Sequence, residues 1–228
     1  MDSNTASTEE LRIAIDPDTQ VSGLITQPAS PTAAYVFGHG AGAGMAHHFM
    51  ADLAGSLAER GIATLRYNFA YMEKGSRRPD VPKVAHAAVR AAAAEAARRM
   101  PGVPLFAGGK SFGGRMTSQA QAAQALPGVK GLVFVGFPLH PAGEPSIERA
   151  KHLAQVGVPM LFLQGTRDEL ADLELIRSVT AGLGDLATLK TFEDADHSFH
   201  VRAKSGWSDA QVRDALADAA AEWMGQRT

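Results

Sequence analysis

The chain has 228 residues, enough for one large α/β domain whose core buries most of its apolar surface. Hydrophobic residues make up 45% and charged residues 20%, and the formal net charge of −2 gives no field that would recruit nucleic acid or an anionic membrane. The absence of cysteine excludes disulfides, thiolate nucleophiles and Cys-ligated zinc. No apolar run approaches bilayer-spanning length, and MDSNTASTEE lacks the basic and apolar regions of a secretory signal, so a cytoplasmic protein is the expectation.

Residues 1–9 are polar and are expected to fray. LRIAID (residues 11–16) and VSGLITQP (21–28) are strand-like and flank a turn-rich stretch, which predicts an antiparallel opening hairpin. AAYVFGHG (33–40) is a continuous apolar run ending in glycine, the mark of a strand buried on both faces. Residues 47–60 place Met50, Leu53, Leu57 and Ala58 at helical spacing, and Gly61 is a natural stop. IATLRYNF (62–69) is the next strand, and residues 70–82 read as a loop carrying a small basic cluster. Pro82 suits a helix first turn, and residues 83–100 form an alanine-rich helix able to lie close to a sheet.

VPLFAGG (103–109) is again a buried strand, followed by a helix over 112–125. VKGLVFVGF (129–137) is a strand, PLHPAGEP (138–145) a loop and residues 147–155 a helix. PMLFLQG (159–165) is a strand, residues 171–183 a helix and ATLKTFE (187–193) the last strand. Ser208 and Gln211 form a capping box for a final helix with Val212, Leu216, Ala219 and Trp223 on its apolar face. Strands alternate with helices from about residue 33 onward, which argues a mostly parallel, doubly wound sheet with an antiparallel start. No linker or repeat divides residues 1–228, so a single domain is expected.

In open α/β sheets, ligands bind beyond the carboxyl ends of the strands. The ends here carry GHGAGAG, NFAYM, GGKSFGG, FPLHP, QGTRDE and EDADHSF. GGKSFGG admits two readings. A phosphate-binding G-x-x-x-x-G-K-[ST] loop would need glycine where Pro104 stands inside the strand. A nucleophile elbow, G-x-S-x-G, needs a strand, a sharp turn and a helix, and that context is present around Ser111. Gly109 and Gly113 flank the serine where a Cβ would collide as strand and helix pass closely.

A serine hydroxyl needs a base to take its proton and an acid to orient that base. On this architecture the chain order is Ser, then Asp or Glu, then His. Asp168 follows the strand at 159–165 and His197 follows the strand at 187–193, in that order. A tetrahedral intermediate also needs two N–H donors for its oxyanion. Phe112, directly after the serine, offers one, and Ala41 in the glycine-rich loop after the first central strand offers the other.

At these residues the chain resembles the α/β-hydrolases of the dienelactone-hydrolase-like branch. More closely it resembles bacterial relatives of the testis-expressed and NSL-complex-subunit hydrolase-like proteins. The matching stretches are GHGAGAGM, GGKSFGGRM, FPLHP, LQGTRDE and DADHSF, spread over residues 38–199. The resemblance implies a three-layer α/β-hydrolase fold and a Ser111–Asp168–His197 triad, and says much less about the substrate; the triad mechanism itself needs no cofactor. Dienelactone hydrolase proper uses a cysteine nucleophile, which this chain lacks, so that substrate is not carried over. The triad is read as cleaving a carboxylic ester or related acyl bond through an acyl-enzyme; peptide or thioester cleavage on the same triad, and a non-catalytic scaffold on the same fold, are the alternatives. The short stretch after residue 137 leaves little material for a cap, so an open pocket is expected.

Other residues at the strand ends are candidates for the pocket. His39 reads as a structural hydrogen-bonding residue or a pocket residue, and Asn68, Phe69, Tyr71 and Met72 could form one wall, with His140 lining another side. Lys110 is either a snorkelling or paired charge, or a source of positive potential for a carboxylate substrate. Lys74, Arg77 and Arg78 read as a solvated loop or as charges serving an anionic substrate, His47 and His48 as helix-start residues, and His200 as pointing away from the serine. Glu169, Asp194 and Asp196 read as solvated charges or caps. No histidine–carboxylate spacing makes a metal site, and the sequence carries no signature of oligomeric state.

Overall fold

The computed structural model describes residues 6–228. The described residues form an eight-stranded sheet in the order β1-β2-β4-β3-β5-β6-β7-β8. The opening hairpin is β1 (Ser7–Asp16) and β2 (Thr19–Gln27), and β2 runs antiparallel to β4 (Ile62–Tyr67). The rest is parallel: β3 (Ala33–Gly38), β5 (Leu105–Lys110), β6 (Val129–Val135), β7 (Met160–Gly165) and β8 (Ala187–Phe192). The hairpin begins earlier than the polar sequence suggested. Residues 7–10 pair with β2, and only 1–5 of the expected frayed stretch lie outside the described residues.

Strand side chains alternate between faces, and each face has its own core. Tyr35, Phe37, Phe106, Val133, Val135, Leu161 and Leu163 meet α1 (His48–Glu59) and α6 (Asp209–Gly225). Val36, Leu65, Ala107, Leu132, Phe134 and Phe162 meet α3 (Pro82–Arg99) and α4 (Phe112–Ala123) on the other. α3 presents Ala85, Ala88, Ala92 and Ala96, all buried, as the small-residue stripe that allows its close approach. Pro82 stands at its first turn, where the missing N–H costs nothing. α6 opens with the Ser208–Gln211 capping box, and Val212, Leu216 and Trp223 are buried.

Three expectations are corrected. Residues 70–82 are not all loop. α2 (Ala70–Glu73) forms there, with the Tyr71 N–H donating to Asp80 Oδ2 at 3.0 Å and Glu73 accepting from the Ser22 N–H and Asn68 Nδ2 at 2.9 Å each. Residues 148–155 wind as a 3₁₀ segment rather than an α-helix. α5 spans Leu173–Gly182 and starts later than expected, because Asp172 caps it by accepting from the Glu174 and Leu175 N–H groups.

The connection from β6 to the 3₁₀ segment adds only loop, and among the described residues no large cap stands over the carboxyl ends of the strands. No helix among the described residues is long and apolar enough to cross a membrane.

Candidate active site

β5 runs up to Lys110, one residue further than the sequence indicated, and α4 starts at Phe112. Ser111 therefore makes the whole turn, at φ 51° and ψ −114°, a backbone that a non-glycine residue adopts only under constraint. The constraint is visible on both sides. The Ser111 N–H donates to the Val135 carbonyl at 3.1 Å, and its own carbonyl accepts from the Arg115 N–H at 3.1 Å. A Cβ on Gly109 would lie 2.4 Å from the Gly38 carbonyl oxygen, and one on Gly113 would lie 2.3 Å from the same atom. The glycines around the serine thus let β5 and α4 close onto the end of β3.

The three residues read as a triad come together. Ser111 Oγ is 2.9 Å from His197 Nε2, and His197 Nδ1 is 2.7 Å from Asp168 Oδ2. A carboxylate only accepts, so Nδ1 carries the proton and Nε2 is left to accept from the serine. Asp168 is buried, and each of its oxygens is engaged: Oδ1 accepts from the Leu170 N–H at 2.8 Å, and Oδ2 also accepts from Gln164 Nε2 at 2.5 Å. Gln164 in turn accepts the Phe137 N–H at 2.9 Å, which locks the amide that steadies the acid. Sequence reasoning missed Gln164; its only signal was its place at a strand end four residues before an acid.

Phe112 is the first residue of α4, so its N–H has no carbonyl one turn back to bond. Ala41 lies at the tip of the loop after β3 and lines the cleft beside Ser111. That loop is braced from behind. The Gly42 N–H donates to Tyr71 Oη at 2.9 Å, and the Met45 N–H donates to Asn68 Oδ1 at 2.9 Å. His39 is fully buried; its Nε2 accepts from the Phe69 N–H at 3.1 Å, so its Nδ1 donates to the Gly40 carbonyl at 2.7 Å. Burial lowers the His39 pKa to about 4, which keeps the ring neutral.

The cleft has a volume of about 500 Å³ and is lined by Ala41, Lys110, Ser111 and His197 together with residues the sequence did not single out as walls. These are His47, His48, Phe49, Met50, Leu170 and Ser198. His47 also fulfils its helix-start reading, since its Nδ1 accepts from the Phe49 N–H at 3.3 Å. The structure does not place His39, Asn68, Tyr71 or His140 on this wall. Their polar atoms are used on the chain itself: His140 Nε2 accepts from the Asp172 N–H at 2.9 Å, and its Nδ1 donates to the Pro141 carbonyl at 2.8 Å.

His200 is exposed and pairs with Asp209 at 2.8 Å, away from the serine. Asp196 caps its own loop by accepting from the Ser198 and His200 N–H groups. Asp194 is not a solvated charge: it is buried, is held in the left-handed region and is ion-paired by Arg202, which drives its pKa down. Lys74, Arg77 and Arg78 are exposed and stand clear of the cleft lining.

The fold recurs in solved structures. An alpha-beta serine hydrolase homologue from Coxiella burnetii superposes with a TM-score of 0.75 at 23% identity, covering 92% of this chain and 96% of that one. A serine hydrolase without a lid from Xanthomonas campestris gives 0.73 at 22% identity, covering 95% of each chain. A dienelactone hydrolase from Anabaena variabilis gives 0.77 at 18% identity, covering 97% and 98%. The family model described as an alpha/beta hydrolase domain matches residues 31–225, and with the elbow, the strand order and the site at the carboxyl edge of the sheet in view, the chain belongs to that family of hydrolases.

Proposed function

We propose that the protein is a serine hydrolase of the esterase type, placed near the testis-expressed and NSL-complex hydrolase-like branch, that cleaves a carboxylic ester through an acyl-enzyme. The observation that carries this reading is the unbroken line from Ser111 Oγ through His197 to Asp168, with spacings of 2.9 and 2.7 Å, set on a strained turn facing a cleft. In this mechanism His197 Nε2 takes the serine proton as Oγ attacks the acyl carbon. The Phe112 and Ala41 N–H groups receive the oxyanion. The imidazolium then gives its proton to the leaving oxygen, and water enters by the same route to release the acid. Asp168 stabilises the charged imidazole and keeps Nε2 free to act as base.

The half-open cleft with little above it suits small or medium acyl substrates. Support for the reading also comes from the names of the structural neighbours, several of which are called serine hydrolases or esterases.

The test is intact mass after treatment with a fluorophosphonate probe, for wild type and Ser111→Ala side by side. A single adduct on the wild type alone is expected, along with hydrolysis of p-nitrophenyl acetate that Ser111→Ala abolishes. A folded wild type that takes up no adduct would overturn the reading in favour of a binding or scaffold role.

A further inference from the structure

Lys110 immediately precedes Ser111, yet its side chain leaves the elbow and crosses to the loop that carries His197. Its Nζ donates to the His197 main-chain carbonyl at 2.5 Å. The same ammonium lies 5.4 Å from the centroid of Phe199 and 5.9 Å from that of Phe49, and the two rings stack on each other at 6.1 Å. Room for this arrangement is made opposite. Gly136, at φ 70°, has no Cβ where one would stand 3.0 Å from Lys110 Nζ and 3.5 Å from the His197 ring. His197 is thus fixed from three elements: Asp168 holds Nδ1, Ser111 meets Nε2, and Lys110 holds the backbone from which the ring hangs.

A half-buried lysine at the edge of the cleft is a costly way to satisfy one carbonyl. Burial lowers its pKa to about 8 against the opposing pull of Asp168 and Asp196. A neutral side chain would avoid that penalty, and a free cation would reach for a carboxylate instead. The geometry here commits the donor to the base-carrying loop and screens the charge with aromatic faces.

Resting on the reading of Ser111 and His197 as nucleophile and base, we propose that Lys110 is a positioning residue that holds the His197 backbone in register with the elbow, and so governs turnover rather than substrate affinity. Because nucleophile and tether are adjacent residues, any shift of the elbow carries both ends of the Ser111–His197 bond together. Loss of the tether frees the loop to drift, and displacement of about 1 Å in a reacting pair costs on the order of 100-fold in rate.

The experiment compares wild type, Lys110→Met, Lys110→Gln and Lys110→Arg. Steady-state kinetics use p-nitrophenyl acetate, which is uncharged, and a p-nitrophenyl ester bearing a terminal carboxylate. Proton NMR reads the low-field Nδ1–H signal of the His197–Asp168 bond in the free protein. The expected result is a kcat lowered by roughly 10- to 100-fold in Lys110→Met and Lys110→Gln, with KM for both esters within about twofold. Lys110→Arg, which keeps a cationic donor, restores most of the rate. The low-field signal broadens or vanishes in the Met and Gln variants and returns in Arg.

Wild-type kcat and an unchanged signal in Lys110→Met would overturn the proposal. So would a raised KM confined to the carboxylated ester, which would make Lys110 a partner for substrate charge. A wild type that is inert to both esters and to fluorophosphonate, but whose low-field signal depends on Lys110, would sink the serine-hydrolase reading and leave the tether standing.

Discussion

At the scale of single residues, the acid shows how little freedom the site leaves. Both Asp168 oxygens are acceptors, one for Leu170 and the other for Gln164 and His197 together. An asparagine there must turn its NH₂ toward one of those donors. Facing His197, it forces the imidazole to the tautomer whose Nε2 carries the proton, and the base is lost. Asp168→Asn is therefore expected to keep the fold and lower kcat by about 10⁴, as the triad template gives for this substitution. Stopped assays on the purified variant would check it, and an undiminished rate would assign the acid elsewhere. The same logic separates the other histidines. His39 and His140 have both ring nitrogens bonded to main chain, which makes them builders of the loops around the cleft.

At the scale of elements, the elbow is where steric rules act most sharply. β5 enters with two glycines because a Cβ on Gly108 would sit 1.8 Å from the Val133 carbonyl oxygen and one on Gly109 2.4 Å from that of Gly38. Gly113→Ala would drive its methyl against the Gly38 backbone from the helix side. We expect it to destabilise the protein by roughly 1–3 kcal/mol or more, the range for overpacking a closed interface. Gly55→Ala is the contrast: it lies within α1 with open space around it, and should stabilise by about 0.5–1 kcal/mol. Urea unfolding of both variants tests the pair, and equal stabilities would mean that α4 does not close against the end of β3. The atoms these Cβ positions would meet, on Val133 and Gly38, are distant in the chain, but the glycines they require fall in one local pattern, GGKSFGG, and that pattern marks the turn. The boundaries were less legible. Asp80 reaches back nine residues to start α2, and no local pattern encodes that bond.

At the scale of the molecule, two cores flank one sheet, and two rings whose neutral form the fold favours sit beside one of them: His39 against Phe69 and Tyr71, and the half-buried His152 against Ser118 of α4. Burial lowers His39 to a pKa of about 4; burial, with Arg115 nearby, does the same to His152. In the unfolded chain both rings protonate near their ordinary value of about 6.5. The unfolded state therefore binds more protons than the native state between those values. Stability contributed by the two rings is complete above pH ~6.5 and is lost as pH falls toward about 4, by up to roughly 3 kcal/mol for the buried His39 and by less for the half-buried His152, whose charge water screens. Denaturant unfolding at pH 7, 6, 5 and 4.5 should show the fall, and His152→Gln should remove the smaller part of it. A flat profile over that range would contradict the burial of these rings.

The sequence by itself determined the alternation of strands and helices, the antiparallel start, the elbow at Ser111 and the order in which Asp168 and His197 follow it. Those features leave local marks in the chain: apolar runs, caps, and glycine where a neighbouring strand leaves no room for a side chain. Only the tertiary structure decided which residues wall the cleft, because its rim comes from the start of α1 and the His197 loop, far apart in the chain. It also decided that Tyr71 and Asn68 brace the loop after β3, that Gln164 steadies the acid, and that Lys110 turns toward His197. Each of those depends on where a side chain finds its partner across the sheet edge, a choice made by packing and not by neighbours in sequence.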